Sequence, residues 1–210
     1  MYRGAGNRLA VDFEVLNLPC SVEQAQKLLQ DQGVEFQQVE IMKVAREHLG
    51  RALYRKGVKM SEAAGTFDCS SFTKWTYAQL GVSIPRFSID QQEFGEQVIE
   101  TESAFDFTQT QQGDLVFCSS DKQNFFWNKE EEGIGHVGLV TEEKSIIHAT
   151  AEKGLHECSV DVFLQNRRFR GMTRYVADFE KLTTLIVPED DIIETSQEVR
   201  WRVIRSMANI

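Results

Sequence analysis

Asp68-Cys69-Ser70-Ser71-Phe72 sets a thiol just behind a helix-capping residue and just ahead of an apolar helical pattern. Phe72, Trp75, Thr76, Gln79 and Leu80 follow at helical spacing. A cysteine in a helix's first turn faces several unpaired backbone N–H groups and the positive end of the helix dipole. Both favour the thiolate, the nucleophilic form. Gly81 closes this helix and Pro85 blocks its return.

Upstream of this stretch the pattern is helical. Ser21-Val22-Glu23-Gln24 is an N-cap signature for a helix through Leu29 that stops near Gly33. Ile41, Val44, Ala45, His48 and Leu49 mark a second helix, ended by Gly50, and Ser88 to Gly95 reads as a short one. The period then changes. Asp114–Cys118, His136–Thr141, Ser145–Thr150, Leu155–Asp161 and Met172–Val176 are short and rich in Val, Ile, Phe and Thr. They predict strands of a mostly antiparallel sheet, with a helical turn over Val162–Asn166. Helices followed by strands indicate an α+β domain.

The expected organisation is a partly helical extension over 1–38, a central domain over 39–180 and a tail over 181–210. In the tail, Pro188-Glu189-Asp190-Asp191 reads as the opening of a helix. Ile192, Ile193, Ser196, Val199, Val203, Ile204 and Met207 then form an apolar stripe able to pack on the domain, on a second copy or on a protein partner. The long connection Ser119–Gly133 holds Phe125-Phe126-Trp127 and Glu130-Glu131-Glu132, which line a cleft or tuck into the core.

A formal net charge of -9 disfavours general nucleic-acid binding and adhesion to an anionic membrane. No stretch approaches the roughly 18 apolar residues of a membrane span. Met1–Cys20 carries Arg3, Arg8, Asp12 and Glu14 and no continuous apolar h-region. A cytoplasmic location is therefore expected for the chain as it reads, with a non-classical or dedicated export route as the alternative. Cys20, Cys69, Cys118 and Cys158 fit no disulfide framework or C-x-x-C motif and read as reduced thiols. All but Cys69 read most simply as core residues.

A nucleophilic cysteine needs a base that takes its proton and later protonates the leaving group. His48 falls on a predicted helix and reads as structural. His136 opens the strand His136-Val137-Gly138-Leu139-Val140, and His148 lies twelve residues on, past a short turn near Glu142–Lys144. Side chains alternate along strands, so the loop length decides whether the two rings share a face. An odd loop puts them together and a two-residue loop separates them. On one face, His148 can orient the ring of His136. A metal reading of Cys69, His136 and His148 lacks a fourth ligand and close ligand spacing, so no metal or other cofactor is expected.

Five segments in order resemble the NlpC-type bacterial cell-wall cysteine endopeptidases. Phe67-Asp68-Cys69-Ser70-Ser71-Phe72 looks like the nucleophile motif. Gly81-Val82-Ser83-Ile84-Pro85-Arg86 with Gln91 looks like the following turn and helix, and Gly113-Asp114-Leu115-Val116-Phe117 like the first core strand. Gly135-His136-Val137-Gly138-Leu139-Val140 looks like the histidine strand and Ile147-His148-Ala149 like the strand of the third polar residue. The resemblance covers about residues 40–178.

The resemblance implies a papain-like α+β fold, with the nucleophile at a helix start packed on a mostly antiparallel sheet of roughly five or six strands. It implies that Cys69 attacks the carbonyl of the γ-D-glutamyl bond in a peptidoglycan stem peptide. His136 is then base and acid, and His148 holds His136 in position. Tyr54, Asp68 and Ser70 would line the subsite that in some members receives the free amine of L-alanine. Asp68 also suits a helix cap. The implied partners are stem peptides or muropeptides, without cofactor.

Departures concern specificity. Tyr54-Arg55-Lys56-Gly57 stands where the family often has Trp-Gly-Gly after the tyrosine, and Ser71 replaces a usual glycine. The connection Ser119–Gly133 is expanded and acidic. Two competing readings are an amidase cutting the sugar–peptide linkage and a binding module that keeps the fold without turnover. The related acyltransferases usually place histidine before cysteine, an order this chain reverses.

Overall fold

The computed structural model describes residues 2–99, 107–119 and 133–208. Along the chain the elements run β1 (Arg8–Val11), α1 (Val22–Gln30), β2 (Glu35–Gln37), α2 (Ile41–Arg46), β3 (Leu53–Tyr54), β4 (Thr66–Phe67), α3 (Cys69–Leu80), α4 (Ser88–Phe94) and β5 (Glu96–Ile99). They continue with β6 (Leu115–Ser119), β7 (Ile134–Val140), β8 (Ile146–Thr150), β9 (Gly154–Cys158), α5 (Val160–Leu164), β10 (Phe169–Arg174), β11 (Thr183–Ile186) and α6 (Ser196–Ala208). The expected α+β class holds. Two compact units form, one from Met42–Thr76 and Ile84–Ala177, the other from Met1–Ile41, Tyr77–Ser83 and Asp178–Ile210.

In the first unit six strands pair in the order β5-β10-β6-β7-β8-β9, every neighbouring pair antiparallel. All five residues of β6 are buried, as expected for a strand covered on both faces. One face carries Val116, Cys118, Val140 and Ile146, packed with Phe163 from α5 and with Met172. Asp114 precedes β6 rather than opening it. Its buried carboxylate accepts two hydrogen bonds from Arg174, both 2.8 Å, and one from the Gln111 N–H at 2.9 Å. Those bonds hold the turn into the strand.

The β7–β8 hairpin settles the histidine parity. Leu139 pairs with Ile147 and Val140 with Ile146. The Thr141 N–H donates to the Ser145 carbonyl at 2.9 Å, closing a three-residue loop, Glu142-Glu143-Lys144. Lys144 sits in the left-handed region at φ 65°, the usual end of such a loop. With an odd loop, His136, Gly138 and His148 face the same way. Arg46 of α2 clamps the loop, reaching Glu142 at 2.5 Å, Glu143 at 2.7 Å and Glu157 of β9 at 3.4 Å. A Cβ on Gly138 would lie 2.3 Å from Cγ2 of Ile146 and 2.9 Å from the Phe163 ring. Only glycine lets α5 bring Phe163 down at this point.

In the second unit β1, β11 and β2 form a three-stranded antiparallel sheet. The segments read from sequence as an extension and a tail thus supply strands of one sheet. Leu9, Val11, Leu29, Leu185, Val199 and Val203 are among its buried core residues. α1 opens with the expected capping box, Ser21 Oγ accepting from the Gln24 N–H at 3.2 Å and Gln24 Oε1 from the Ser21 N–H at 3.3 Å. Gly81 lies at φ 84° and a Cβ there would be 2.5 Å from the Leu9 carbonyl carbon. α6 starts at Ser196, later than the sequence suggests. Pro188–Asp191 closes instead as a turn, the Asp191 N–H donating to the Pro188 carbonyl at 3.0 Å, and the Asp191 carboxylate takes the Arg202 guanidinium.

β1, β2, β5 and β11 carry little sequence signal. They are three or four residues long, and β2 and β5 are largely exposed. The aromatic run Phe125-Phe126-Trp127 and the acidic run Glu130-Glu131-Glu132 lie outside the described residues. Among the described residues no helix is long and apolar enough to cross a membrane.

Candidate active site

α3 begins at Cys69, and its start is over-determined. Asp68 Oδ1 accepts from the Ser71 N–H at 2.8 Å while Ser71 Oγ accepts from the Asp68 N–H at 2.8 Å. This reciprocal cap satisfies one of the helix's orphan donors and contributes about 1 kcal/mol. It also gives Ser71, a departure from the family pattern, a structural task. The parallel β3–β4 pair sets Tyr54 opposite Phe67, one residue before the cap.

Asp68 is heavily engaged. Its Oδ2 accepts from the Gly57 N–H at 2.9 Å and from Arg86 Nη2 at 2.5 Å, and its Oδ1 from Arg86 Nη1 at 3.0 Å. Burial pushes this carboxyl up, but the Arg86 fork and the two backbone donors together hold it below the usual range. Ser70 Oγ also takes a bond from Arg86 Nη1 at 3.0 Å. Fully buried Gln91 anchors the same turn from α4, donating to the Ser70 carbonyl at 3.0 Å and accepting from Thr73 Oγ1 at 2.9 Å.

Half-buried Cys69 turns its sulfur toward the backbone N–H of Val137, the residue after His136. Burial first, and the Asp68 charge second, push this thiol up to about 11, against the opposing pull of the Val137 and Ser70 N–H groups and Arg86. The resting group is therefore a thiol. The helix-start argument from sequence predicts a thiolate; its N–H donors are present, but burial and the adjacent carboxylate outweigh them.

His136 and His148 are 8% and 3% exposed. His136 Nε2 lies 2.8 Å from His148 Nδ1. Burial, then nearby Arg167 and His156, push His136 down to about 3; burial and the adjoining histidines push His148 lower still. Both rings are neutral at physiological pH. Phe163 stacks on His136 at 5.4 Å and meets His148 edge-on at 5.0 Å, fixing both planes. His148 thus engages one ring nitrogen of His136, Nε2.

Cys69, Asp68, Ser70, His136 and His148 all lie in the first unit, with Tyr54 on the strand paired beside the cap. His48 packs edge-on against Trp75 at 4.9 Å, consistent with its structural reading. Sequence reasoning missed the ring-holding Phe163 and the interaction of Cys158, whose Sγ lies 3.3 Å from His148 Nε2. The strand register was the available signal for Cys158; nothing in the pattern of α5 marks Phe163.

Residues 51–174 match the NlpC/P60 family model. The chain is 34% identical over 109 residues to a probable endopeptidase p60 of Listeria seeligeri, covering 52% of this chain and 17% of that protein. It is 27% identical over 136 residues to the peptidoglycan DL-endopeptidase CwlO of Bacillus licheniformis, covering 62% of this chain and 26% of that protein. The chain therefore spans only a minor part of these relatives' length. Among solved structures, NlpC2 from Trichomonas vaginalis is similar with a TM-score of 0.51 at 19% identity, over 66% of this chain and 46% of that one, a likeness of fold.

Proposed function

Since the chain belongs to the NlpC/P60 family, we propose that it is a cysteine peptidase hydrolysing the γ-D-glutamyl–diamino acid bond of peptidoglycan stem peptides. The observation that carries this reading is the buried His136–His148 pair, 2.8 Å apart, with His136 on the strand whose Val137 N–H meets the Cys69 sulfur.

The chemistry follows from neutral partners. As the Cys69 sulfur attacks the γ-carbonyl of D-glutamate, its proton passes to Nδ1 of His136. The oxyanion that forms is stabilised by the Cys69 backbone N–H at the helix start. His136 then returns the proton to the amine of the diamino acid, the C–N bond breaks, and a thioester remains. Water, deprotonated by His136, cleaves the thioester and restores the thiol. Throughout, His136 Nε2–H donates to His148 Nδ1, which keeps Nδ1 of His136 as the basic nitrogen.

Tyr54, Asp68 and Ser70 line the subsite for the L-alanine amine in this reading. Because Arg86 and backbone donors occupy both oxygens of Asp68, its carboxylate acts on the amine through its charge rather than by a direct bond.

The test is a mass map of products from purified muropeptides. Fragments ending in D-glutamate support the endopeptidase. Intact stems freed from the sugar replace it with an amidase, and no cleavage moves the assignment to a binding module.

A further inference from the structure

The Nε2 edge of His148, opposite the Nδ1 that meets His136, lies against a second group of ligating side chains. It pairs directly with His156 across β8–β9, and Ile146 pairs with Cys158. His148, His156 and Cys158 therefore project from one face. Their ligand atoms all lie within 4.8 Å of one another. The His148 Nε2–Cys158 Sγ separation is 3.3 Å. Two ligands of a tetrahedral zinc ion, one nitrogen and one sulfur, stand about 3.5 Å apart. One edge of a coordination polyhedron is already present.

His156 is set for the same task. Its Nδ1 lies 3.1 Å from the Gly154 carbonyl, which can only accept, so Nδ1 carries the proton and Nε2 keeps its lone pair. His156 and Cys158 are half-buried, so an ion can enter from solvent. The donor set selects the ion's class. Two imidazoles and a thiolate suit zinc and other thiophilic ions, not calcium or magnesium, which require oxygen. Arg167 and Lys153 place positive charge near His148, which also disfavours ions that lack a bond to the thiolate.

We propose that His148, His156 and Cys158 form an inhibitory site for a zinc-class divalent cation, and that its occupation inverts the tautomer of the His136–His148 pair. The ion binds Cys158 as thiolate and releases its proton to solvent. It needs the lone pair of His148 Nε2, so the His148 proton moves to Nδ1. There it donates to His136 Nε2, which must accept, and the His136 proton is driven to Nδ1. That nitrogen can then no longer take the proton of Cys69. The sequence reading that found no metal site considered Cys69, His136 and His148; the set proposed here shares only the positioning residue His148. The inhibitory consequence rests on the proposed function, whereas binding and the tautomer inversion are read without turnover.

Cobalt(II) chloride is the probe for binding and imidazole ¹⁵N NMR under zinc chloride the probe for the tautomer. A thiolate-to-cobalt charge-transfer band should appear at one ion per chain in the wild type and in Cys69→Ala. It should vanish in Cys158→Ser and weaken at least about tenfold in His156→Gln, with circular dichroism confirming that each variant is folded. Zinc should move the His136 proton from Nε2 to Nδ1. No band in the wild type, or a band lost in Cys69→Ala and kept in Cys158→Ser, overturns the site. An unchanged His136 tautomer with zinc bound overturns the switch. Absent hydrolysis without metal counts against the peptidase reading and bears on neither spectrum.

Discussion

Nε2 of His136 lies 2.8 Å from Nδ1 of His148, and the two residues occupy one face of neighbouring strands. A single proton between these nitrogens decides which nitrogen of His136 is basic. His148→Ala should lower kcat by about 10²- to 10⁴-fold with little change in KM. His148→Gln, whose amide oxygen can accept from Nε2–H, should recover part of the loss. Steady-state kinetics on a stem peptide checks both.

Cys69 should ionise late. Burial and the Asp68 charge push its thiol up to about 11, so the thiolate absorbance lost in Cys69→Ala should rise only at strongly alkaline pH. A difference titration in the ultraviolet reads this directly. An ionisation below neutrality would mean that the thiolate–imidazolium pair is preformed.

Acid should weaken the fold before the carboxylates titrate. His136 is pushed down to about 3, and His148 further, from an ordinary 6.5. Below 6.5 the unfolded chain takes up protons on both rings while the folded chain does not. Their contribution is thus complete above pH 6.5 and is lost as the pH falls toward the folded values. Urea unfolding should show a fall of up to about 1.4 kcal/mol per pH unit for each ring between pH 6.5 and 5. His148→Gln should remove about half of that slope, by the same linkage.

Gly138→Ala should lower stability by about 1–3 kcal/mol, since its methyl group would collide with Ile146 and Phe163. Displacing Phe163 also loosens the face that holds both imidazoles, so activity should fall with it. A thermal melt and a rate measurement on the folded variant check the pair of effects. An unchanged melting temperature would contradict the packing described here.

The central elements were readable because their signals are local. The cap and apolar spacing around Cys69 placed α3, and runs of Val, Ile and Phe placed β6, β7 and β8. The sharing of a face by His136 and His148 was not readable, because it depends on one loop residue: the hairpin closes over three residues, Glu142-Glu143-Lys144. The ionisation of Cys69 is not legible in the sequence for a related reason. Helix-start donors are visible in sequence, whereas burial and the field of Asp68 depend on packing. Strands such as β2 and β11 escaped because their pairing is with segments far along the chain, Leu185 with Phe36.

The most direct test uses one defined peptide, L-Ala-γ-D-Glu-diaminopimelate, with release of free diaminopimelate followed for the wild type and for Cys69→Ala. The account predicts release by the wild type and none detectable by the variant. Equal release by Cys69→Ala, or release of L-alanine in place of diaminopimelate, would contradict it.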